Sequence, residues 1–70
     1  MDANTSALLI RFREEFSKSG KTKYDFHYDE YERWPEFSKQ ALSDLIALGI
    51  ISFHNDVYPF VSLNIEKFRQ

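Results

Sequence analysis

The sequence predicts a small α+β domain that is mostly helical, with three helices, a short strand before the second helix and a C-terminal β-hairpin. Apolar residues recur at helical spacing near the start of the chain and again over residues 38–48. Two β-rich segments then follow with a turn signal between them, which is the pattern of a hairpin. The 70 residues are enough for one domain, spanning 1–70.

The first predicted helix covers residues 4–19. Its apolar stripe consists of four residues: Leu8, Leu9, Phe12 and Phe16. Three residues can supply the N-cap: Asn4, Thr5 and Ser6. Gly20 can end the helix in the left-handed conformation.

Residues 21–28 alternate polar and aromatic side chains, which predicts a short strand. Residues 29–34 are long enough for about two helical turns. Pro35 ends this second helix, because the residue before a proline avoids the helical region.

The clearest helix covers residues 38–48, with Ser38 as its N-cap and Gly49 at its end. Its predicted apolar stripe is Leu42, Leu45, Ile46 and Leu48. Residues 50–54 and 57–63 form the hairpin strands, with Asn55-Asp56 as the turn. Because Pro59 cannot donate a ladder hydrogen bond, we expect its strand to lie at an edge or to contain an irregularity.

The composition points to the cytoplasm. There is no cysteine, whereas a small secreted domain usually depends on disulfides. No apolar run approaches the ~20 residues that span a bilayer, and the first residues lack the features of a signal peptide. We therefore expect no contact with a membrane.

The charge balance disfavours simple binding to nucleic acid. Nine basic and eleven acidic residues give a net charge of −2, whereas such proteins usually carry a basic surface. A local basic patch remains possible, formed by Arg11, Arg13, Lys18, Lys21 and Lys23.

One stretch carries a resemblance to a known family. From Trp34-Pro35-Glu36-Phe37, a turn leads into a Ser-capped helix that ends in Leu48-Gly49-Ile50, and a hairpin follows. With the preceding strand and short helix, this order resembles a winged helix-turn-helix domain, of the kind found in small proteins of phages, plasmids and other mobile elements. The resemblance covers roughly residues 5–63, and such domains bind double-stranded DNA, bind RNA or dock proteins.

The resemblance implies a first hypothesis, a DNA-binding regulator that acts as a dimer. The helix that begins at Ser38 would enter the major groove, where Gln40 can pair with adenine and Lys39 with guanine or phosphate. Ser38 and Ser43 would contact phosphates. Further phosphate contacts would come from four basic residues: Arg11, Arg13, Lys21 and Lys23.

Two features oppose that hypothesis. Asp44 lies on the same outward face, and an unpaired carboxylate there repels phosphates. The hairpin tip, His54-Asn55-Asp56, has no fixed positive charge. The outward face of the helix would then be an ordinary solvated surface, and the tip an ordinary turn.

The alternative hypothesis is a non-catalytic protein-interaction module, either a homodimer or an adaptor, that binds no nucleic acid. The high aromatic share, 17%, and the acidic balance favour it. Its interface would be the apolar face of the hairpin, with Phe53, Tyr58 and Phe60.

Other kinds of site are disfavoured. His27 and His54 have no recognised metal-ligand spacing, so we expect no metal and no cofactor. The acidic residues Asp29, Glu30, Glu32 and Glu36 are typical of a solvated helix face. The only glycines are Gly20 and Gly49, so there is no glycine-rich phosphate loop. We expect neither an enzyme nor a small-molecule substrate.

Overall fold

The computed structural model describes residues 1–19 and 25–68. The elements follow in the order α1 (Ala3–Ser19), β1 (Asp25–His27), α2 (Tyr28–Tyr31), α3 (Lys39–Ala47), β2 (Ile51–His54), β3 (Phe60–Leu63) and α4 (Ile65–Phe68). The predicted class, a small α+β domain, is confirmed.

Helix α1 begins earlier than the sequence pattern predicts. The Asp2 carboxylate accepts a hydrogen bond of 2.7 Å from the backbone N–H of Thr5, so Asp2 caps the helix. This bond lowers the pKa of Asp2 below 3.8. The predicted caps Asn4, Thr5 and Ser6 are therefore wrong, because all three already lie within the helix.

The segment before α3 is less helical than expected. Strand β1 lies within the predicted 21–28, of which residues 21–24 fall outside the described part, as does Gly20. Helix α2 ends at Tyr31 rather than near residue 34. Two turns follow, with Trp34 N–H donating to Tyr31 and Phe37 N–H to Trp34. They bring Trp34 into the core.

Helix α3 has the two ends that the sequence predicts. The Ser38 hydroxyl accepts a hydrogen bond of 3.0 Å from the backbone N–H of Ala41. Gly49 has φ +74°. Its N–H donates to Ile46, and the N–H of Ile50 donates to Leu45, which is a Schellman motif.

The buried face of α3 differs from the predicted stripe. Leu45 is buried as expected, but its companion is Ala41, one turn earlier, and Leu42 is half-buried. Ile46 is 37% exposed and Leu48 49% exposed. Because successive residues are about 100° apart around a helix, the Ala41–Leu45 row directs Ile46 away from the core.

The sheet is antiparallel, with strand order β1-β3-β2. The strand predicted over residues 57–63 begins only at Phe60, and it is the central strand, so Pro59 neither places it at an edge nor makes it irregular. Pro59 immediately precedes the strand, so it interrupts no ladder. Its carbonyl accepts a hydrogen bond of 3.1 Å from the N–H of Tyr28.

The base of the β2–β3 hairpin is tied to the end of α3. The backbone N–H of Asn64 donates to the Ile50 carbonyl at 2.8 Å, and the Asn64 side-chain amide donates to the Gly49 carbonyl at 3.1 Å. Both bonds fix the hairpin where it leaves the helix.

The core lies between the helices and one face of the sheet. Phe12 of α1 makes edge-on contacts with Phe26 of β1 and Trp34, with ring centroids 5.3 and 4.9 Å apart. Tyr31 is also buried, and its burial raises the pKa of its hydroxyl to about 12. Four aromatic rings thus anchor the core.

Candidate functional site

The outward face of α3 carries the residues predicted to read DNA. Lys39, Gln40 and Ser43 are exposed, whereas Ser38 is half-buried and uses its hydroxyl in the N-cap. Lys39 and Ser43 lie one turn apart and therefore share a face. The exposed residues of the next turn are apolar: Ile46, Ala47 and Leu48.

Asp44, the residue expected to repel phosphates, is hydrogen-bonded to two neutral side chains. Its carboxylate accepts a hydrogen bond of 3.0 Å from the Thr5 hydroxyl and one of 2.9 Å from the Gln40 side-chain amide. Gln40 is thereby engaged within the protein. Thr5 is buried, and its contact joins α1 to α3. No sequence pattern predicts this contact, because it depends on how the two helices pack.

The two arginines of α1 that were predicted to contact phosphates interact with other residues of the protein. The Arg11 guanidinium lies 3.1 Å from Glu15, 3.5 Å from Glu36 and 5.4 Å from the centre of the Trp34 ring. Arg13 is half-buried and also has an interaction partner. Lys21 and Lys23 lie outside the described residues. Within α3, the exposed basic residue is Lys39.

The hairpin tip, predicted at residues 54–56, lies at residues 55–58 in the structure because β2 extends to His54, and it is the most exposed apolar part of the described chain. Val57 is 84% exposed and Tyr58 74% exposed. The Asp56 carboxylate accepts a hydrogen bond of 2.8 Å from the Val57 N–H, which shapes the turn. The sequence predicted Tyr58 as a contact residue but missed Val57, since a single valine beside a turn carries no distinguishing signal.

The three predicted interface residues do not form one patch. Phe53 pairs with Val61, while Phe60 pairs with both His27 and His54. Successive strand residues point to opposite faces, so Phe53 and Phe60 lie on opposite sides of the sheet. Phe53 is 45% exposed.

Phe60 is held between two histidines on the outer face of the sheet. Its ring stacks on His54 with centroids 4.6 Å apart and planes at 11°, and His27 lies 5.9 Å away on the other side. The His54 Nε2 atom is 2.8 Å from the Ser62 hydroxyl. Phe60 is therefore half-buried and less available than Tyr58.

A cleft opens between the start of α2 and the hairpin tip. It has a volume of about 270 Å³ and is lined by His27, Tyr28, Asp29, Tyr58 and Pro59. The hydrogen bond between the Tyr28 hydroxyl and Glu32 raises the pKa of Tyr28 above 10.0. The sequence could not predict the cleft, because pairing of β1 with β3 brings its two walls together.

Within residues 1–19 and 25–68, no group of three or more histidine, aspartate or glutamate side chains could hold a metal ion. His27 and His54 are separated by the central strand. None of the described helices is long and apolar enough to cross a membrane.

No protein family matches the chain, and neither a curated protein nor a solved structure is similar enough to match it.

Proposed function

We propose that this protein is a non-catalytic protein-interaction module of winged-helix type, and that the tip of the β2–β3 hairpin is its contact surface. The exposure of Val57 and Tyr58 carries this proposal. The two residues are adjacent, and contiguous exposed apolar surface is typical of interaction sites. Tyrosine in particular is enriched among the residues that dominate binding energy.

The order of the elements supports the winged-helix part of the proposal. A helix, a short strand, a short helix, a Ser-capped helix and a hairpin follow one another, as the resemblance of residues 5–63 implies. Fold alone does not decide between DNA and protein as the partner.

The charges favour a protein partner. Arg11 is neutralised by Glu15 and Glu36, and α3 carries Asp44 as well as Lys39. The hairpin tip contributes Asp56 and no fixed positive charge. Binding to DNA depends on phosphate neutralisation by lysine and arginine, and these surfaces offer little of it.

The proposal can be tested by site-specific photo-crosslinking. A photoreactive phenylalanine analogue is placed at Tyr58 in cells that express the protein, and the matched control places it at Ser17, an exposed residue of α1. We expect a discrete protein adduct from position 58 and none from position 17. An adduct of twice the chain mass identifies a second copy as the partner. Equal labelling from both positions, or an adduct to nucleic acid, contradicts the proposal.

DNA binding is a second candidate function, favoured by the exposure of Lys39 and Ser43 on one face of α3. It predicts retardation of duplex DNA in a gel at low salt, weakened by Lys39→Ala and by added salt. Lys67→Ala, at an exposed residue of α4, is the matched control. Absence of retardation at high micromolar protein excludes this candidate.

A further inference from the structure

The cleft between α2 and the hairpin tip has the chemistry of a cation site. Two of its five lining residues, Tyr28 and Tyr58, are tyrosines, and a third, Asp29, is an exposed carboxylate. The face of a tyrosine ring attracts a cation, and a carboxylate pairs with it. None of the five lining residues carries a fixed positive charge.

Two further carboxylates belong to the segments that form the walls of the cleft. Asp25 lies two residues before His27 on β1, so both side chains are on the same face of the sheet. Asp56 lies two residues before Tyr58 in the exposed turn. These carboxylates complement a basic partner and repel the phosphates of a nucleic acid.

The protein already contains one arginine in such surroundings. Arg11 lies over the Trp34 ring, with the carboxylates of Glu15 and Glu36 within 3.5 Å. The cleft offers the same two components, aromatic rings and a carboxylate, from residues that belong to the surface. A planar guanidinium suits such a site better than an ammonium group, because it stacks on a ring and donates two parallel hydrogen bonds to a carboxylate.

The cleft is also preformed. The Tyr28 N–H donates to the Pro59 carbonyl at 3.1 Å, which joins the α2 wall to the hairpin wall. The Tyr28 ring is held by the core: it packs edge-on against Tyr31, with ring centroids 5.4 Å apart. A ligand therefore does not have to bring the two walls together, which lowers the entropic cost of binding.

We propose that this cleft binds an arginine side chain of a partner protein. The inference rests on the proposed function and adds the chemistry of the partner: a basic segment whose arginine enters the cleft while neighbouring residues contact Val57 and Tyr58 at the tip.

The test uses acetyl-Gly-Arg-Gly-amide as the probe, with the backbone amides of the full chain observed by NMR. We expect saturable shifts centred on Tyr28, Asp29, Tyr58 and Phe60. Acetyl-Gly-citrulline-Gly-amide, which has the same shape without the charge, should bind about three- to tenfold more weakly. Asp29→Asn should weaken arginine binding by a similar factor, whereas Glu66→Gln, which removes an exposed charge on α4, should not.

The inference is overturned if citrulline binds as well as arginine, if the shifts spread over the acidic residues in general, or if Asp29→Asn and Glu66→Gln weaken binding equally. Shifts of the same amides with oligothymidine in place of the peptide also overturn it. An adduct at position 58 without arginine binding refutes this inference alone. Arginine binding without an adduct refutes the hairpin-tip proposal and leaves the cleft as the binding site.

Discussion

The aromatic residues of the core and those of the hairpin behave differently. Phe12, Phe26 and Trp34 come from three separate segments and meet edge-on in the interior. Phe53 and Tyr58 come from one hairpin and are 45% and 74% exposed. The aromatic residues thus form two groups: one set of rings stabilises a small core, and the other lies on the hairpin, partly in contact with solvent.

The core rings and the hairpin rings therefore differ in how much they contribute to folding. A 70-residue chain buries a smaller share of its surface than a larger domain, so each core ring matters for stability. A ring at the hairpin tip adds little to folding. The two regions can therefore be distinguished by substitutions that measure stability.

The largest effect is expected from Phe12→Ala, which removes the ring that contacts Phe26, Tyr31 and Trp34. We expect a loss of about 3–5 kcal/mol in the free energy of unfolding, measured by urea denaturation. Tyr58→Ala is the matched control and should change it by less than about 0.5 kcal/mol. Similar losses in both variants would mean that the tip belongs to the folding unit.

A smaller effect is expected where a polar contact joins the packed helices. Thr5→Val keeps the shape of a buried side chain but removes the hydroxyl that donates to Asp44. We expect a loss of about 1.5–3 kcal/mol, because the acceptor is a carboxylate. Ser43→Ala, at an exposed position of the same helix as Asp44, should be nearly neutral. If thermal and urea unfolding give Thr5→Val the stability of the parent, the contact contributes nothing.

Tyr31→Phe should stabilise the protein. The Tyr31 hydroxyl is buried and has no hydrogen-bond partner among the described residues. Its removal should raise the free energy of unfolding by about 1 kcal/mol, since a buried hydroxyl without a partner carries a desolvation cost. Tyr28→Phe is the contrasting variant: its hydroxyl is bonded to Glu32, so no gain is expected. A loss of stability in Tyr31→Phe would show that the hydroxyl is satisfied in solution.

The last prediction concerns the pH dependence of stability that comes from Tyr31. This effect is absent at neutral pH and can be measured only in alkali. Burial raises the pKa of Tyr31 from 10.0 to about 12, so the unfolded chain loses this proton first. The stability that depends on Tyr31 is therefore intact below pH 10 and declines as the pH rises toward 12. The stability gap between Tyr31→Phe and the parent should widen over this range in urea titrations. A constant gap would contradict the raised pKa.

The sequence predicted both ends of α3, because these caps depend on residues close together in the chain. Ser38 and Gly49 bound α3 through hydrogen bonds to residues only a few positions away. What it could not predict depends on packing between distant segments. The central position of β3, the exposure of Ile46 and Leu48, and the burial of Thr5 against Asp44 all follow from how α1, α3 and the sheet meet.

The candidate sites also differ in how far the sequence predicted them. Tyr58 was identified from the hairpin pattern, whereas the cleft joins residues 27–29 to residues 58 and 59 and required the strand pairing. The carboxylates beside Arg11, a predicted phosphate contact, could not be predicted, since a sequence does not reveal which carboxylates will lie beside a guanidinium.

The hydrogen bonds of Asn64 at the base of the hairpin have an evolutionary consequence. They hold Gly49 and Ile50 at the end that leaves α3, far along the strands from the tip. Residues 55–58 can therefore be exchanged with little effect on the frame that presents them. Under the proposed function, descendants of one ancestral gene could therefore diverge in partner choice through substitutions in that turn, because these hydrogen bonds lie outside it.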